Sequence, residues 1–330
     1  MMQLSVLDQV PISKGSDAYS ALKHSAELAE LADQWGYKRY WFAEHHSTRG
    51  LASTAPEIMI AHIAAKTANI RVGSGGVLLP QYSPFKVAES FRQLEALYPG
   101  RIDLGIGRSP GGTAKTRLAL TDGVHKSLDE FPRQLQDLLA FLTDSVPSGH
   151  DYFGIKAAPL TDSPPEVWLL GLGENSAKLA GDMGAGYVFG HFINSARGKN
   201  AFQSYRESFR PSPFFKRPQS LAAVFVVCAE SEEKAAELCL SQDLWLLRDE
   251  KGLVSLVPSI EEAKSAAYTA ADKKKLAHNR SRMVIGSPRT VKRKLLELSE
   301  RYQTDEFMVL TNVYRFEDKK QSYERLAELF

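Results

Sequence analysis

An α/β chain closed into a (β/α)8 TIM barrel is the architecture this sequence predicts, and three observations predict it. Short apolar or β-branched runs alternate with segments of helical spacing along the chain. Eight such runs can be counted, each parted from the next by a helix, and that alternation favours a parallel sheet with right-handed crossovers. Eight units favour closure over an open doubly wound sheet. No repeat of solenoid period and no low-complexity linker interrupts residues 1–330, so one barrel domain is expected.

The elements follow in order. The first strand covers residues 4–8 and ends at Gln9-Val10-Pro11; a helix follows over about 17–35, with Leu22, Ala26 and Ala29 on one face and Gly36 as its stop. The second strand is 39–43. Thr54-Ala55-Pro56-Glu57 opens a helix to about 67, with Pro and an acid in its first turn. The third strand is 70–73, with a continuation to Leu79 left open; Ser83-Pro84 then caps a helix carrying Val87, Phe91 and Leu94 at i, i+4, i+7. Strand four is 102–106, and Leu135, Leu138 and Leu142 mark its helix. Strand five (167–170) precedes a helix over 174–183, and strand six (187–189) one over about 194–209. Strand seven (221–228) precedes a helix over about 231–247; the helix from Ser287-Pro288 to about 302 comes before strand eight (307–310), and a last helix covers about 317–329.

Composition excludes several classes. Lys+Arg 41 against Asp+Glu 39 leaves a net charge of +2, which recommends neither nucleic acid nor an anionic membrane as partner. The basic run Lys273-Lys274-Lys275 reads as a solvated face. No apolar run approaches the ~18–20 residues of a membrane span. A secretory signal is not expected from the first residues, and Cys228 and Cys239, in no metal-binding spacing, suit a reducing cytoplasm.

In a barrel the chemistry belongs to the loops at the C-terminal strand ends. Those positions hold Asp8 and Gln9; Glu44, His45 and His46; Ser74, Gly75 and Gly76; Gly107, Arg108 and Ser109; Gly171, Leu172 and Gly173; Gly190 and His191. Arg108 lies in a glycine-rich loop, 105–112, where a guanidinium among accessible backbone N–H groups suits a phosphate or carboxylate. Taken alone, the same residues describe a glycine turn with a solvated arginine. A second glycine loop, Gly171-Leu172-Gly173, opens a helix whose N–H groups and Ser176 hydroxyl suit the same anion. Adjacent His45 and His46 point in different directions, so joint metal chelation is disfavoured, and no further His, Asp or Glu completes a metal set. One histidine at the mouth suits acid/base work, since its pKa lies near neutrality. Ser74-Gly75-Gly76 reads as a strand break or as a close backbone approach to a flat ligand.

Three stretches carry a resemblance: 40–46 (YWFAEHH), 70–80 (IRVGSGGVLLP) and 99–108 (PGRIDLGIGR). Together they resemble the bacterial-luciferase-like, flavin-dependent oxidoreductases, in their single-gene monooxygenase branch more than in the light-emitting luciferases. The resemblance implies reduced FMN at the barrel mouth and reaction with O2 at the flavin. It places Arg108 on the FMN phosphate beside the backbone of Gly107, with Leu172, Gly173 and Ser176 completing the cradle. It makes His45 the catalytic histidine and His46 its neighbour in the same turn, and it aligns Gly75-Gly76 with a non-proline cis peptide under the isoalloxazine. Luciferases carry a cysteine where this chain has Gly107, so light emission is not implied. A homodimer through the second helix, apolar nearly all round, is implied too, as is a separate NAD(P)H:flavin reductase, since no dinucleotide fingerprint is present. A non-catalytic flavin-binding protein and an F420-dependent dehydrogenase remain alternatives, and the organic substrate is not legible.

A minimal barrel takes ~250 residues, leaving roughly 80 over. They fall in insertions of about 109–129 and 248–286, expected to cover the flavin as loops without a core of their own.

Overall fold

Along residues 2–109, 111–253 and 256–330, those described by the computed structural model, strands and helices alternate as the periodicity requires. The chain runs β1 (Gln3–Asp8), α1 (Ala18–Gln34), β2 (Arg39–Phe42), α2 (Pro56–Ala64), β3 (Arg71–Ser74), β4 (Val77–Leu78), α3 (Pro84–Leu97) and β5 (Ile102–Gly107). It continues through α4 (Ala114–Leu120), α5 (Phe131–Leu142), β6 (Glu166–Gly171), α6 (Glu174–Asp182), β7 (Gly186–Gly190), α7 (Gly198–Ser208) and β8 (Ser220–Cys228). The last stretch is α8 (Glu232–Glu250), α9 (Ile260–Ser265), α10 (Ala270–Arg280), β9 (Met283–Gly286), α11 (Pro288–Tyr302), β10 (Glu306–Leu310) and α12 (Phe316–Ala327).

Every pairing between these strands is parallel, and the ring closes: β1–β2–β3–β5–β6–β7–β8–β10 and back to β1. The fold is therefore a (β/α)8 barrel. Side chains acting as caps set several helix starts, among them Asp17 on Ser20 N–H, Ser83 on Lys86 N–H and Ser287 on Thr290 N–H.

Two differences from the sequence reading concern strands. The third strand stops at Ser74, and after Gly75-Gly76 a separate β4 continues the pairing with β5, Leu78 opposite Gly107. β9, inside the expected second insertion, went unseen. It lies beside the upper half of β8, from Phe225 opposite Met283 to Cys228 opposite Gly286. Phe225 also faces Leu310 of β10, so β9 occupies the other edge of β8, beyond the end of β7. With α9 and α10 it gives that segment packed structure of its own.

The N-terminal end of the barrel is plugged by charge. Arg39 on β2 bonds Asp103 (2.8 Å), Glu166 (2.9 Å) and Glu306 (2.8 Å), while Arg71 and the Trp41 indole also reach Asp103. Burial pushes the Asp103 carboxyl up, but Arg39 and Arg71 outweigh it and hold the group below the usual carboxylate range. Buried charges persist only when paired in this way. The C-terminal end is left free for loops, and that is where the site lies.

Candidate active site

At the C-terminal mouth the loops enclose a cavity of about 1080 Å³. Leu7, Val188, Ala223 and Met308, all pointing into the barrel, give it an apolar floor. Its polar side is built by Arg108, Ser109 and the turn from Gly171 to Ser176. Of the residues singled out by sequence, His45, Gly75, Gly76, Gly107, Arg108, Leu172, Gly173 and Ser176 all border this cavity. Pro110 of the Arg108 loop lies outside the described residues.

Others do not converge there. His46 turns away from the cavity, its Nε2 2.7 Å from Glu44 Oε1 and 3.3 Å from the Tyr82 hydroxyl. Asp8 points into the helical layer, where it accepts from Ser25, Tyr40 and Lys319 at 2.6, 2.6 and 3.0 Å. His191 meets the Tyr302 hydroxyl of α11 at 2.7 Å, and Gln9 accepts from Asn312 at 2.7 Å. Strand alternation is the cause: Leu7 and Gly190 face the cavity, so Asp8 and His191 face the other way. No described residue of 248–286 lines the cavity, although Arg282 of that segment donates to the carbonyl of Ile193, which does.

The glycines differ in what they do. The Gly75–Gly76 peptide is cis, as the resemblance implies. A Cβ on Gly76 would lie 2.8 Å from Gly105 O, against the backbone of β5. Glycine is thus required there by strand packing, independently of any ligand. A Cβ on Gly75 would meet Leu7, a cavity residue with a movable side chain, at 2.4 Å. At Gly107 a Cβ would find only ordinary contacts at 3.9 Å, so a larger residue fits where luciferases carry cysteine. Gly171 makes room for Ser176, whose Oγ would sit 2.0 Å from its Cβ. Ser176 itself donates to Gly173 O at 2.8 Å.

Gly173 caps α6, and the first helical bond there is Ala177 N–H to Gly173 O. The N–H groups of Glu174, Asn175 and Ser176 precede it, free for a ligand at the positive end of the helix. Arg108 follows β5 and this turn follows β6, its neighbour in the sheet. Arg197, which sequence reading missed, follows β7 on the other side of β6, and its Nη1 lies 3.7 Å from where a Gly173 Cβ would be. Among the described residues neither arginine makes an ion pair, although both border the cavity. Arg197 was hidden because the helix after β7 begins at Gly198, not near residue 194, which returns 194–197 to the mouth.

His45 is electrostatically distinct. Burial, with a smaller push from His46, lowers its pKa to about 4, and its Nδ1 is buried without a hydrogen-bond partner. It is therefore a neutral imidazole at neutral pH. His191, buried mainly by α11, is also pushed down to about 4, first by burial and then by Arg301 and Arg282. An unfolded imidazole takes its proton near ~6.5. Stability is thus unaffected above that value and lost as pH falls from 6.5 towards 4, by on the order of 2–3 kcal/mol for His191. Urea unfolding at pH 7.5 and 4.5 checks this: His191→Asn should flatten the acid-side loss, and an unchanged slope would contradict it.

Among the described residues no three His, Cys, Asp or Glu side chains come together as a metal site, and no helix is long and apolar enough to cross a membrane.

Comparison with known proteins agrees with this geometry. The family model described as luciferase-like monooxygenase matches residues 2–305. The chain is 71% identical to uncharacterized protein YceB of Bacillus subtilis (strain 168), over 100% of both. It is 33% identical to N-acetyl-S-alkylcysteine monooxygenase of the same organism, over 99% of this chain and 98% of that protein. Among solved structures, apo-MsnO8 superposes with a TM-score of 0.91 at 38% identity, covering 100% of this chain and 98% of that one. At lower identity the fold is shared with the oxygenating constituent of 3,6-diketocamphane monooxygenase in complex with FMN (TM-score 0.71, 19% identity, covering 99% and 98%). It is shared too with an F420-dependent secondary alcohol dehydrogenase in complex with an F420-acetone adduct (TM-score 0.63, 16% identity, covering 98% and 99%). The fold, the cavity wall and the match over nearly the whole chain meet in one statement: this protein belongs to the luciferase-like monooxygenase family.

Proposed function

We propose that this protein is an FMN-dependent monooxygenase, using reduced flavin and O2 to oxidise a small organic substrate. One observation carries the reading: two unpaired arginines and the free amides at the start of α6 border one cavity that also holds a neutral histidine. Ligand cavities run to ~1,000 Å³, so this one has room for a flavin and a substrate together.

The residues present fit the cofactor. Arg108, Arg197 and the N–H groups of 174–176 would hold the phosphate, and the Gly75–Gly76 backbone would lie under the ring system with no side chain rising from it. Reduced FMN supplies the electrons that activate O2. Leu7, Val188, Ala223 and Met308 keep water from the reacting face. His45, uncharged until pH falls near 4, accepts a proton from substrate and returns it at its ring nitrogen. His46 contributes through its place in the same turn. The relative named N-acetyl-S-alkylcysteine monooxygenase favours thioethers over aldehydes and sulfonates as the first substrates to try.

A separate NAD(P)H:flavin reductase would provide the reduced flavin. Cys228 and Cys239, both buried and free, suit a cytoplasmic setting. On α2, Met59, Ile60 and Ile63 are buried while Ile58 is 67% exposed, and Leu97 at the end of α3 is 59% exposed. An apolar surface of this kind supports a homodimer through α2; a monomer mass by light scattering would contradict it. The cofactor is tested by equilibrium titration with FMN, riboflavin and F420. FMN should bind tightest, and preference for F420 would move the reading to the dehydrogenases.

A further inference from the structure

Glu44 is a buried carboxylate in the cavity wall, 6% exposed, with no task in the reading above. Both of its oxygens are engaged. Oε2 accepts from Leu78 N–H at 2.9 Å, and Oε1 accepts from the Tyr82 hydroxyl at 2.5 Å and lies 2.7 Å from His46 Nε2. With Oε2 accepting from Leu78 N–H and Oε1 from the Tyr82 hydroxyl, the third contact is completed by a proton on His46 Nε2 donated to Oε1. Burial and then Glu44 itself hold the phenol proton on Tyr82, which stays a donor. Leu78 in turn pairs with Gly107 on β5, one residue before Arg108. Two cavity segments, the His45–His46 turn and the strip from Gly75 to Leu78, therefore meet at one carboxylate together with the turn ending at Tyr82 behind them.

We propose that Glu44 is a positioning residue that pins the His45 turn to the Gly75–Leu78 strip and fixes His46 as its Nε2–H tautomer. Its contribution to the flavin bed rests on the FMN reading; the latch itself does not.

The test is 15N-resolved NMR of the flavin-free protein at alkaline pH, where imidazoles are neutral, with His46 assigned by its loss in His46→Gln. Wild type should show the Nε2–H tautomer and a slowly exchanging Leu78 amide. In Glu44→Ala the Tyr82 hydroxyl becomes the nearest partner of Nε2 and donates to it. The tautomer should invert to Nδ1–H, and the Leu78 amide should exchange at least about tenfold faster. Tyr82→Phe, which keeps the carboxylate, should retain the wild-type tautomer. An Nδ1–H tautomer in wild type, or Glu44→Ala spectra matching wild type, would overturn the latch; if Glu44→Ala does not fold, wild type and Tyr82→Phe still decide. In Glu44→Ala the FMN dissociation constant should rise about tenfold. Unchanged affinity beside an inverted tautomer would overturn the positioning role, whereas wild type failing to bind FMN would sink the cofactor reading alone.

Discussion

Arg108→Ala combined with Arg197→Ala weakens FMN binding about 1000-fold, each charged contact being worth about 1.5–3 kcal/mol. The arginines follow β5 and β7, the strands on either side of β6 and the α6 N-terminus, and among the described residues neither has an acidic partner to compete with a ligand. A phosphate placed there meets two guanidiniums and three amides whose dipoles already favour negative charge. Riboflavin, which lacks the phosphate, serves as the control. Its affinity should be nearly the same in wild type and double variant, since its ring system would rest on the Gly75–Gly76 backbone and the apolar floor. The wild-type preference for FMN should also shrink as salt rises, because both arginines are exposed and screened. Equal loss of FMN and riboflavin affinity would mean that the variant had damaged the cavity rather than the phosphate cradle.

His45→Ala should slow turnover ~100-fold or more while leaving FMN affinity close to wild type. The imidazole borders the cavity, yet its Nδ1 is buried and its charge is disfavoured, an arrangement that serves proton transfer better than anion binding. The sign of the shift gives a second check. With a folded pKa near 4, wild-type turnover should stay flat down through pH 6, where an ordinary histidine is already mostly protonated, and fall only near 4. Turnover halving near pH 6.5 would place the working proton elsewhere.

Most of the barrel was legible because eight apolar runs alternate with helical periods, and period is the strongest signal a sequence carries. β9 escaped because Met283–Gly286 falls outside the one-strand, one-helix alternation, and only the upper half of β8 gives it a partner. The glycine loops and Arg108 were readable as anion-ready positions, since residue type and strand-end location suffice. Direction was harder. Asp8 and His191 sit at strand ends as counted, but each follows a residue that faces the cavity, and alternation turns it outward, whereas His46 lies in the loop beyond β2, where Glu44 holds its Nε2. Applying that parity to Leu7-Asp8 and Gly190-His191 would have removed two of the three. Arg197 needed the start of α7 to within a few residues, finer than periodicity resolves. Glu44 was visible in the sequence, but its convergence with Leu78 and Tyr82 depends on the strand break after Ser74.

On the FMN reading this cavity joins reduced flavin, O2 and an organic substrate. Photoreduced FMN, protein and a thioether panel mixed anaerobically, then exposed to 18O2 and analysed by mass spectrometry, put that to the test. A product carrying one 18O atom from O2, and lost in His45→Ala, is expected. Flavin that reoxidises with every substrate unlabelled would contradict it.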